Sequence, residues 1–150
     1  MTPLLRPVGD GDCRLLFEWL NRPDSLANKL RTAEPVAAGD HAAWFASRRR
    51  DPGCLMWIIE VEERPVGQVR LQPANGAHEV DIYVEPDVRR SGVALSALGQ
   101  AANLYRQRFP DGRLAARVLT RNQASRRLFA AAGYVLKTSR EGYDVMELPG

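Results

Sequence analysis

Residues 80–100, VDIYVEPDVRRSGVALSALGQ, constrain the fold of this chain more than any other stretch. The stretch begins with the alternating pattern of a strand, is interrupted at Glu85-Pro86, and continues beyond Gly92 as a helix rich in small residues. A strand that turns tightly into a helix belongs to a layered fold of sheet and helices. Because the first N–H groups of a helix have no partner inside it, the same connection can bind an anion.

The connection between the predicted strand and helix has residue types suited to a diphosphate. Gly92 and Ala94 add little bulk in front of the first helical amides, and Arg89 and Arg90 can add positive charge. A diphosphate fits such a loop without a metal ion. Glycine-containing turns also join strands to helices that bind nothing, so the motif alone leaves a purely structural role open.

Size and composition narrow the class of protein. With 150 residues, 45% of them hydrophobic and 26% charged, the chain is expected to form one soluble globular domain over residues 1–150. We expect no membrane partner, and the absence of an export signal favours the cytoplasm. A net charge of +3 is too small to indicate nucleic acid. The two cysteines and two histidines are isolated, so no metal site is predicted.

The remaining patterns predict an α/β fold of the mixed α+β kind, with helices on both faces of a mixed sheet. Gly67, inside a predicted strand, indicates a bulge or a close approach of backbones, and Asn75-Gly76 predicts a hairpin turn. Residues 25–38 predict only a short helix followed by a loop. Asp10 or Asp12 is expected to cap the first helix, Asp40 the second and Asn122 the last. Strands are predicted at residues 4–6, 54–61, 66–71, 78–84, 114–119, 134–138 and 143–148, and helices at about 10–20, 40–50, 92–108 and 123–132.

Several segments, in this order, resemble the GNAT acetyltransferase superfamily. The loop matches the Arg/Gln-x-x-Gly-x-Gly/Ala signature of that family at Arg89, Gly92 and Ala94. The resemblance covers essentially the whole chain. Its other parts are Leu4-Leu5-Arg6-Pro7, Pro65-Val66-Gly67, Asn122-Gln123-Ala124-Ser125, Leu128-Phe129 and Gly133-Tyr134.

The resemblance implies a GNAT-like twisted sheet, mostly antiparallel, that splays apart at a cleft for acetyl-CoA, the cosubstrate. The backbone of Ile82, Tyr83 and Val84 would hold the pantetheine arm like an added strand. Asn122 would lie near the pantetheine or acetyl end, a role compatible with capping a helix, and Ser125 and Phe129 belong to the same segment. The pyrophosphate would be bound by the loop residues Arg89, Arg90, Ser91, Gly92, Val93 and Ala94.

Acetyl transfer to an amine requires a base, and a thioester thiolate benefits from an acid. Glu79 and Asp81 alternate onto one strand face and are the available carboxylates, although such residues can also simply face solvent. Many family members place a tyrosine seven residues after the asparagine as the acid, but this chain has Phe129 there. We predict Tyr134 as the acid, with Tyr143, Ser125 or water as alternatives.

The resemblance implies that the first helices and the last hairpin form the acceptor pocket. Glu18-Trp19-Leu20-Asn21 and His41-Ala42-Ala43-Trp44-Phe45 are similar to the branch that includes amino-sugar acetyltransferases of the pseudaminic acid pathway. That similarity favours a nucleotide-linked amino sugar, a small-molecule amine, bound by Asn21 and Trp44. A related branch acetylates N-termini of ribosomal proteins. Another small amine, or a non-catalytic acyl-CoA-binding module, remains an alternative, and a homodimer is possible.

Overall fold

The computed structural model describes residues 2–27 and 35–150, and in this part of the chain seven strands form one sheet. Their order across the sheet is β1-β2-β3-β4-β5-β7-β6, and neighbouring strands are antiparallel except for β4 and β5. This arrangement confirms the predicted fold class. The strands are β1 (Leu4–Pro7), β2 (Leu55–Val61), β3 (Arg64–Ala74), β4 (Ala77–Val84), β5 (Leu114–Leu119), β6 (Val135–Arg140) and β7 (Tyr143–Leu148).

Helices cover both faces of the sheet and divide the core into two clusters. On one face, α4 and α5 pack on the central strands through residues such as Leu98, Tyr105 and Phe129. On the other face, α1 and α3 pack over Ile58 and Tyr83. Since each helix layer buries one side of the sheet, a strand between them alternates between the two cores. The helices are α1 (Cys13–Leu20), α2 (Pro23–Ala27), α3 (Ala38–Arg50), α4 (Val93–Arg108) and α5 (Gln123–Ala131).

The two N-terminal caps differ from the prediction. The Asp12 carboxylate accepts the Gly9 N–H at 2.7 Å and binds Arg6 at 2.9 Å, so it closes a single turn of 3-10 helix before α1. Helix α3 begins at Ala38, which leaves Asp40 in its first turn, where a carboxylate favours the helix dipole. Residues 28–34 of the region predicted as a short helix and loop lie outside the described residues.

The two central strands β4 and β5 run parallel and separate early. Within the described residues they pair only at His78 with Leu114 and at Glu79 with Ala115. By contrast, β3 follows β4 along its whole length, to the pair Gly67–Val84. A Cβ atom on Gly67 would lie 2.2 Å from the carbonyl oxygen of Tyr83, which confirms the predicted close approach of backbones. The sheet is therefore tight on one side of β4 and open on the other.

Candidate active site

The connection from β4 to α4 leads into a helix N-terminus whose geometry can accommodate an anion. Gly92 has a φ of 86°, a left-handed conformation that favours glycine, and nothing lies within 4 Å of where its Cβ would be. The first bond of the helix runs from the Ser96 N–H to the Gly92 carbonyl at 3.0 Å. In the described structure the amides of Val93 and Ala94 therefore have no partner inside the helix. These residues fit a pyrophosphate.

The free side of β4 provides a second set of backbone groups. The Glu85 N–H bonds to the Val66 carbonyl of β3 at 2.7 Å. Backbone groups of a strand alternate between its two neighbours, so Ile82 and Val84 direct their N–H groups away from β3. At these residues β4 is no longer paired with β5. An extended ligand can add to β4 at this place as a strand would.

Three side chains of the loop differ in what they bind. Arg89 was predicted to direct its charge at the pyrophosphate, but its Nε donates to the Val84 carbonyl at 2.8 Å, and its guanidinium binds Asp24 of α2. The hydroxyl of Ser91 donates to the Val88 carbonyl. Arg90 has a φ of 63°, is exposed, and makes no side-chain hydrogen bond or ion pair among the described residues. The free cation of the loop is thus Arg90 rather than Arg89.

Helix α5 brings Asn122 towards the opening and keeps its aromatic residues in the core. The Asn122 side chain accepts the N–H of Ser125 at 3.1 Å, which is the predicted cap. Phe129 is buried and meets Tyr134 edge to face, with ring centroids 5.1 Å apart. Burial raises the pKa of the Tyr134 hydroxyl, and Arg106 near the end of α4 acts in the opposite direction.

Tyr134 is consequently a core residue rather than a proton donor to the cleft. Its side chain is only 3% exposed and belongs to the cluster between the sheet and helices α4 and α5. Tyr134 therefore packs on the α4 and α5 side of the sheet, whereas Glu79 and Asp81 line the pocket on the other face. The prediction of Tyr134 as the acid therefore lacks geometric support.

A pocket of about 460 Å3 lies on the opposite face of the sheet, under α1 and α3. Helices contribute mainly apolar and aromatic side chains, whereas the sheet contributes mainly polar ones. The lining side chains from β3, β4 and β5 are Gln68, Arg70, Gln72, Glu79, Val80, Asp81, Tyr83 and Arg117. The helix side of the pocket is thus mainly apolar. Its sheet side is mainly polar and extends over β3, β4 and β5.

Both predicted carboxylates point into this pocket, and neighbours hold them in place. Glu79 accepts a hydrogen bond from Arg117 of β5 at 2.9 Å. Asp81 accepts one from Gln68 at 3.0 Å and lies 3.6 Å from Arg70. Asp81 stands two residues beyond the last paired position of β4 and β5, so it is the carboxylate beside the opening.

The two predicted acceptor residues have different surroundings. Asn21 uses its side-chain oxygen to accept the Val36 N–H at 2.7 Å and its nitrogen to donate to the Val36 carbonyl at 2.9 Å. It therefore fastens the end of α1 to the chain before α3, and its amide is already engaged. Trp44 lines the pocket, with Arg70 4.8 Å and Arg48 5.8 Å from its ring centroid.

Sequence reasoning missed the polar residues that β3 contributes to the pocket. Gln68, Arg70 and Gln72 alternate along a strand that has neighbours on both sides. A period of two places these polar side chains on one face of β3, and the pocket under α1 and α3 lies on that face. The signal was present in the sequence, whereas Arg117 could not be matched to Glu79 without the order of the strands.

Two residues of the loop after β4, Glu85 and Arg89, make contact with the first two helices and the turn between them. Glu85 accepts hydrogen bonds from the Trp19 indole N–H and from Arg22, the latter at 3.1 Å. Arg89 binds Asp24, as described above. The residues that follow β4 therefore also hold α1 and α2 over the pocket.

Comparisons with known proteins give the family. Residues 4–135 match the family model for the acetyltransferase (GNAT) domain. No curated protein matches the sequence. The chain is similar in structure to a domain from Methanocaldococcus jannaschii, with a TM-score of 0.84 at 21% identity over 98% of this chain and 97% of that one.

Two further similar structures are enzymes described with ligands. Spermidine N-acetyltransferase from Vibrio cholerae, in complex with CoA and spermine, has a TM-score of 0.83 at 17% identity, covering 97% of this chain and 93% of that one. RimL, a ribosomal L7/L12 α-N-protein acetyltransferase in complex with CoA, has a TM-score of 0.81 at 12% identity, covering 98% and 92%.

The chain belongs to the GNAT acetyltransferase family. This membership confirms the predicted class of enzyme, an acetyl-CoA-dependent N-acetyltransferase, with acetyl-CoA as its cosubstrate. Among the described residues, none of the helices combines the length and the apolar character that crossing a membrane demands.

Proposed function

We propose that the protein transfers the acetyl group of acetyl-CoA to the primary amine of a nucleotide-linked amino sugar. One observation carries the proposal: β4, which separates from β5 and leads to the unpaired first amides of α4, also contributes two carboxylates to the pocket. A donor bound along β4 meets an acceptor in the pocket at Asp81. Proximity of two bound reactants supplies a large part of such a catalytic effect.

The donor is held mainly by backbone. The amides at the start of α4 and the side chain of Arg90 face the pyrophosphate, and Ile82 and Val84 offer N–H groups to the pantetheine arm. An N–H of this strand end also suits the oxyanion that forms when a thioester carbonyl is attacked. Bound acetyl-CoA supplies the activated acyl group.

The acceptor amine must lose a proton before it attacks. Asp81 is the favoured base because it lies at the opening, and Glu79 is the second candidate, acting directly or through water. For the acid we infer water or no dedicated group, since Phe129 and Tyr134 are both core residues. A CoA thiolate can leave without a dedicated acid, because its thiol has a pKa near that of cysteine, roughly 8.5.

Other acceptors remain as alternatives. An N-terminal amine of a protein would need the pocket to admit a peptide, and a non-catalytic module would bind acetyl-CoA without turnover. The cytoplasmic location and the homodimer stay predictions.

A thiol-release assay with acetyl-CoA over amino sugars, sugar nucleotides and peptide N-termini tests the proposal. We expect turnover with amino-sugar nucleotides. Turnover with peptides alone would exclude the proposed acceptor, and folded protein that does not bind acetyl-CoA would exclude the proposed donor site.

A further inference from the structure

The pocket contains buried polar atoms that the protein itself leaves without partners. The Nε atoms of Arg48, Arg70 and Arg117 and the Oε1 atom of Gln72 are buried and have no hydrogen-bond partner among the described residues. All four of these residues line the same pocket. Buried polar groups in proteins are nearly always paired, so a cluster of unpaired ones in one cavity indicates a polar ligand.

The charges of the pocket do not balance. The lining carries three arginines, Arg48, Arg70 and Arg117, against the carboxylates Glu79 and Asp81. Glu79 pairs with Arg117 at 2.9 Å and Asp81 lies 3.6 Å from Arg70. Arg48 has no ion pair in the described part of the chain. Among the described residues the excess positive charge of the lining is therefore located at Arg48, next to Trp44.

The geometry points to an acceptor that carries a phosphate in addition to its amine, with the phosphate bound by Arg48 and Arg70. This inference rests on the proposed function and assigns the residues that select the acceptor by its phosphate. Guanidinium groups bind phosphate oxygens through paired N–H donors, and Arg48 and Arg70 both line the pocket. Gln72 lines it as well and adds an amide on the same side.

The order of the strands sets the separation of amine and phosphate. Asp81 lies on β4, Arg70 lies opposite it on β3, and Met56, opposite Arg70 on β2, closes the pocket near Arg48. Neighbouring strands are about 4.8 Å apart, so the phosphate lies on the order of 5–10 Å from the amine. A sugar with an amine on one carbon and a phosphate on a distant carbon spans this interval.

The same charges disfavour polyamines. The similar enzyme from Vibrio cholerae was described with spermine, a polycation. In this pocket a second ammonium group would meet Arg48 and Arg70 rather than carboxylates. We therefore expect spermidine and aminoglycosides to be poor acceptors.

A binding experiment with uridine diphosphate tests the phosphate subsite without requiring turnover. Saturating CoA is included so that the probe cannot occupy the pyrophosphate loop. We expect calorimetry to show binding to the wild type and about tenfold weaker binding to Arg48→Gln, the loss of one charge-assisted hydrogen bond. The matched control is Arg50→Gln, which removes the same charge from an exposed residue of the same helix that does not line the pocket.

The outcomes separate the inference from the proposed function. Equal binding of uridine diphosphate to wild type and Arg48→Gln, or no binding to either, overturns the phosphate subsite. Thiol release with spermidine as efficient as with an amino-sugar nucleotide also overturns it, although acetyl transfer itself then stands. If only peptides with an acidic second residue are acetylated, the same arginines bind a carboxylate, and this result overturns the phosphate subsite. Failure of the wild type to bind CoA would instead contradict the proposed function.

Discussion

The proposed donor cleft lies at the free edge of strand β4, the proposed acceptor pocket lies on one face of the sheet, and the two are built from different chemical groups. The donor cleft consists of backbone N–H groups, at the start of α4 and along the free side of β4, with Gly92 keeping them accessible. The sheet side of the acceptor pocket consists mainly of long polar and charged side chains that hold one another, such as Glu79 with Arg117. Backbone donors suit a ligand that never changes, whereas side chains can be exchanged without rebuilding the fold.

This difference predicts how each side responds to substitution. Changes in the donor cleft should act on acetyl-CoA affinity through charge or backbone shape. Changes in the pocket should act on the acceptor or on the chemical step, and should leave acetyl-CoA binding intact. The following predictions are arranged from the largest expected effect to the smallest.

Gly92→Glu is expected to abolish measurable binding of acetyl-CoA. A carboxylate about 4 Å from a phosphate costs on the order of 4 kcal/mol at an effective dielectric constant of 20, which corresponds to about a thousandfold in affinity. The side chain has open space, so the fold should persist, apart from modest strain at a φ of 86°. Calorimetric titration with acetyl-CoA measures the effect.

The control for this prediction is Gly99→Glu. Gly99 lies on an exposed position of the same helix, and a Cβ there meets nothing within 4 Å. Its affinity for acetyl-CoA should equal that of the wild type. Unchanged affinity of Gly92→Glu itself would move the pyrophosphate site elsewhere.

Asp81→Asn should lower kcat by about a hundredfold or more, the contribution typical of a general base. The shape of the side chain and its position next to Gln68 are kept, so the dissociation constant for acetyl-CoA should not change. Glu79→Gln should have the smaller effect, because Glu79 lies at the last paired position rather than beside the opening. Steady-state kinetics with the best acceptor of the panel measure both.

Asp87→Asn provides the comparison for the two carboxylate variants. Asp87 is an exposed carboxylate of the β4–α4 connection that pairs with Arg64 at 2.6 Å and does not line the pocket. It should keep full activity. A greater loss in Glu79→Gln than in Asp81→Asn would assign the base to Glu79.

The two adjacent arginines of the loop should affect different ligands. Arg89 should act mainly on the acceptor, and Arg90 should act mainly on acetyl-CoA. Arg89→Gln removes the contacts to Val84 and Asp24, so we expect the KM of the acceptor to rise about tenfold, with a smaller change for acetyl-CoA. Arg90→Gln should instead weaken acetyl-CoA binding several-fold, since an exposed cation acts through a screened charge. The ratio of the two KM values in each variant is the measurement, and equal ratios would contradict the division of roles.

Protonation of His41, which lines the pocket, should lower the free energy of unfolding in mild acid. Burial, together with the charge of Arg70, lowers the pKa of this histidine below its usual 6.5. The unfolded chain therefore binds the proton more readily, and the free energy of unfolding should fall as the pH drops from about 7 to 5. His41→Phe keeps the aromatic packing with Trp44 and Phe45 and should flatten the dependence. Urea unfolding at several pH values measures it, and parallel curves for variant and wild type would exclude His41 as the cause.

Local signals in the sequence predicted most of the fold. The Asn75-Gly76 turn has both residues at positive φ, at 52° and 78°, as the hairpin pattern requires. Gly67 and the cap at Asn122 likewise follow from rules that involve a few neighbouring residues. The early separation of β4 and β5 was expected only through the family resemblance, because it depends on where a distant strand joins the sheet.

The candidate site was less predictable wherever a side chain chooses between distant partners. Sequence reasoning predicted that Arg89 adds charge to the loop, because nothing in the sequence shows that Asp24, 65 residues earlier, lies beside it. Asn21 was predicted to meet the acceptor, and nothing in the sequence shows that its amide also binds Val36, 15 residues later. Glu79 and Asp81 were placed on one face correctly, since strand alternation is a local property.

The contacts of Glu85 and Arg89 with Trp19, Arg22 and Asp24 have a consequence for engineering. Transplanting the first two helices from a relative, in order to import its acceptor preference, would leave Glu85 and Arg89 facing foreign side chains. A workable graft would therefore carry two non-contiguous pieces of sequence, residues 13–27 and residues 85–89, as a single exchangeable cassette.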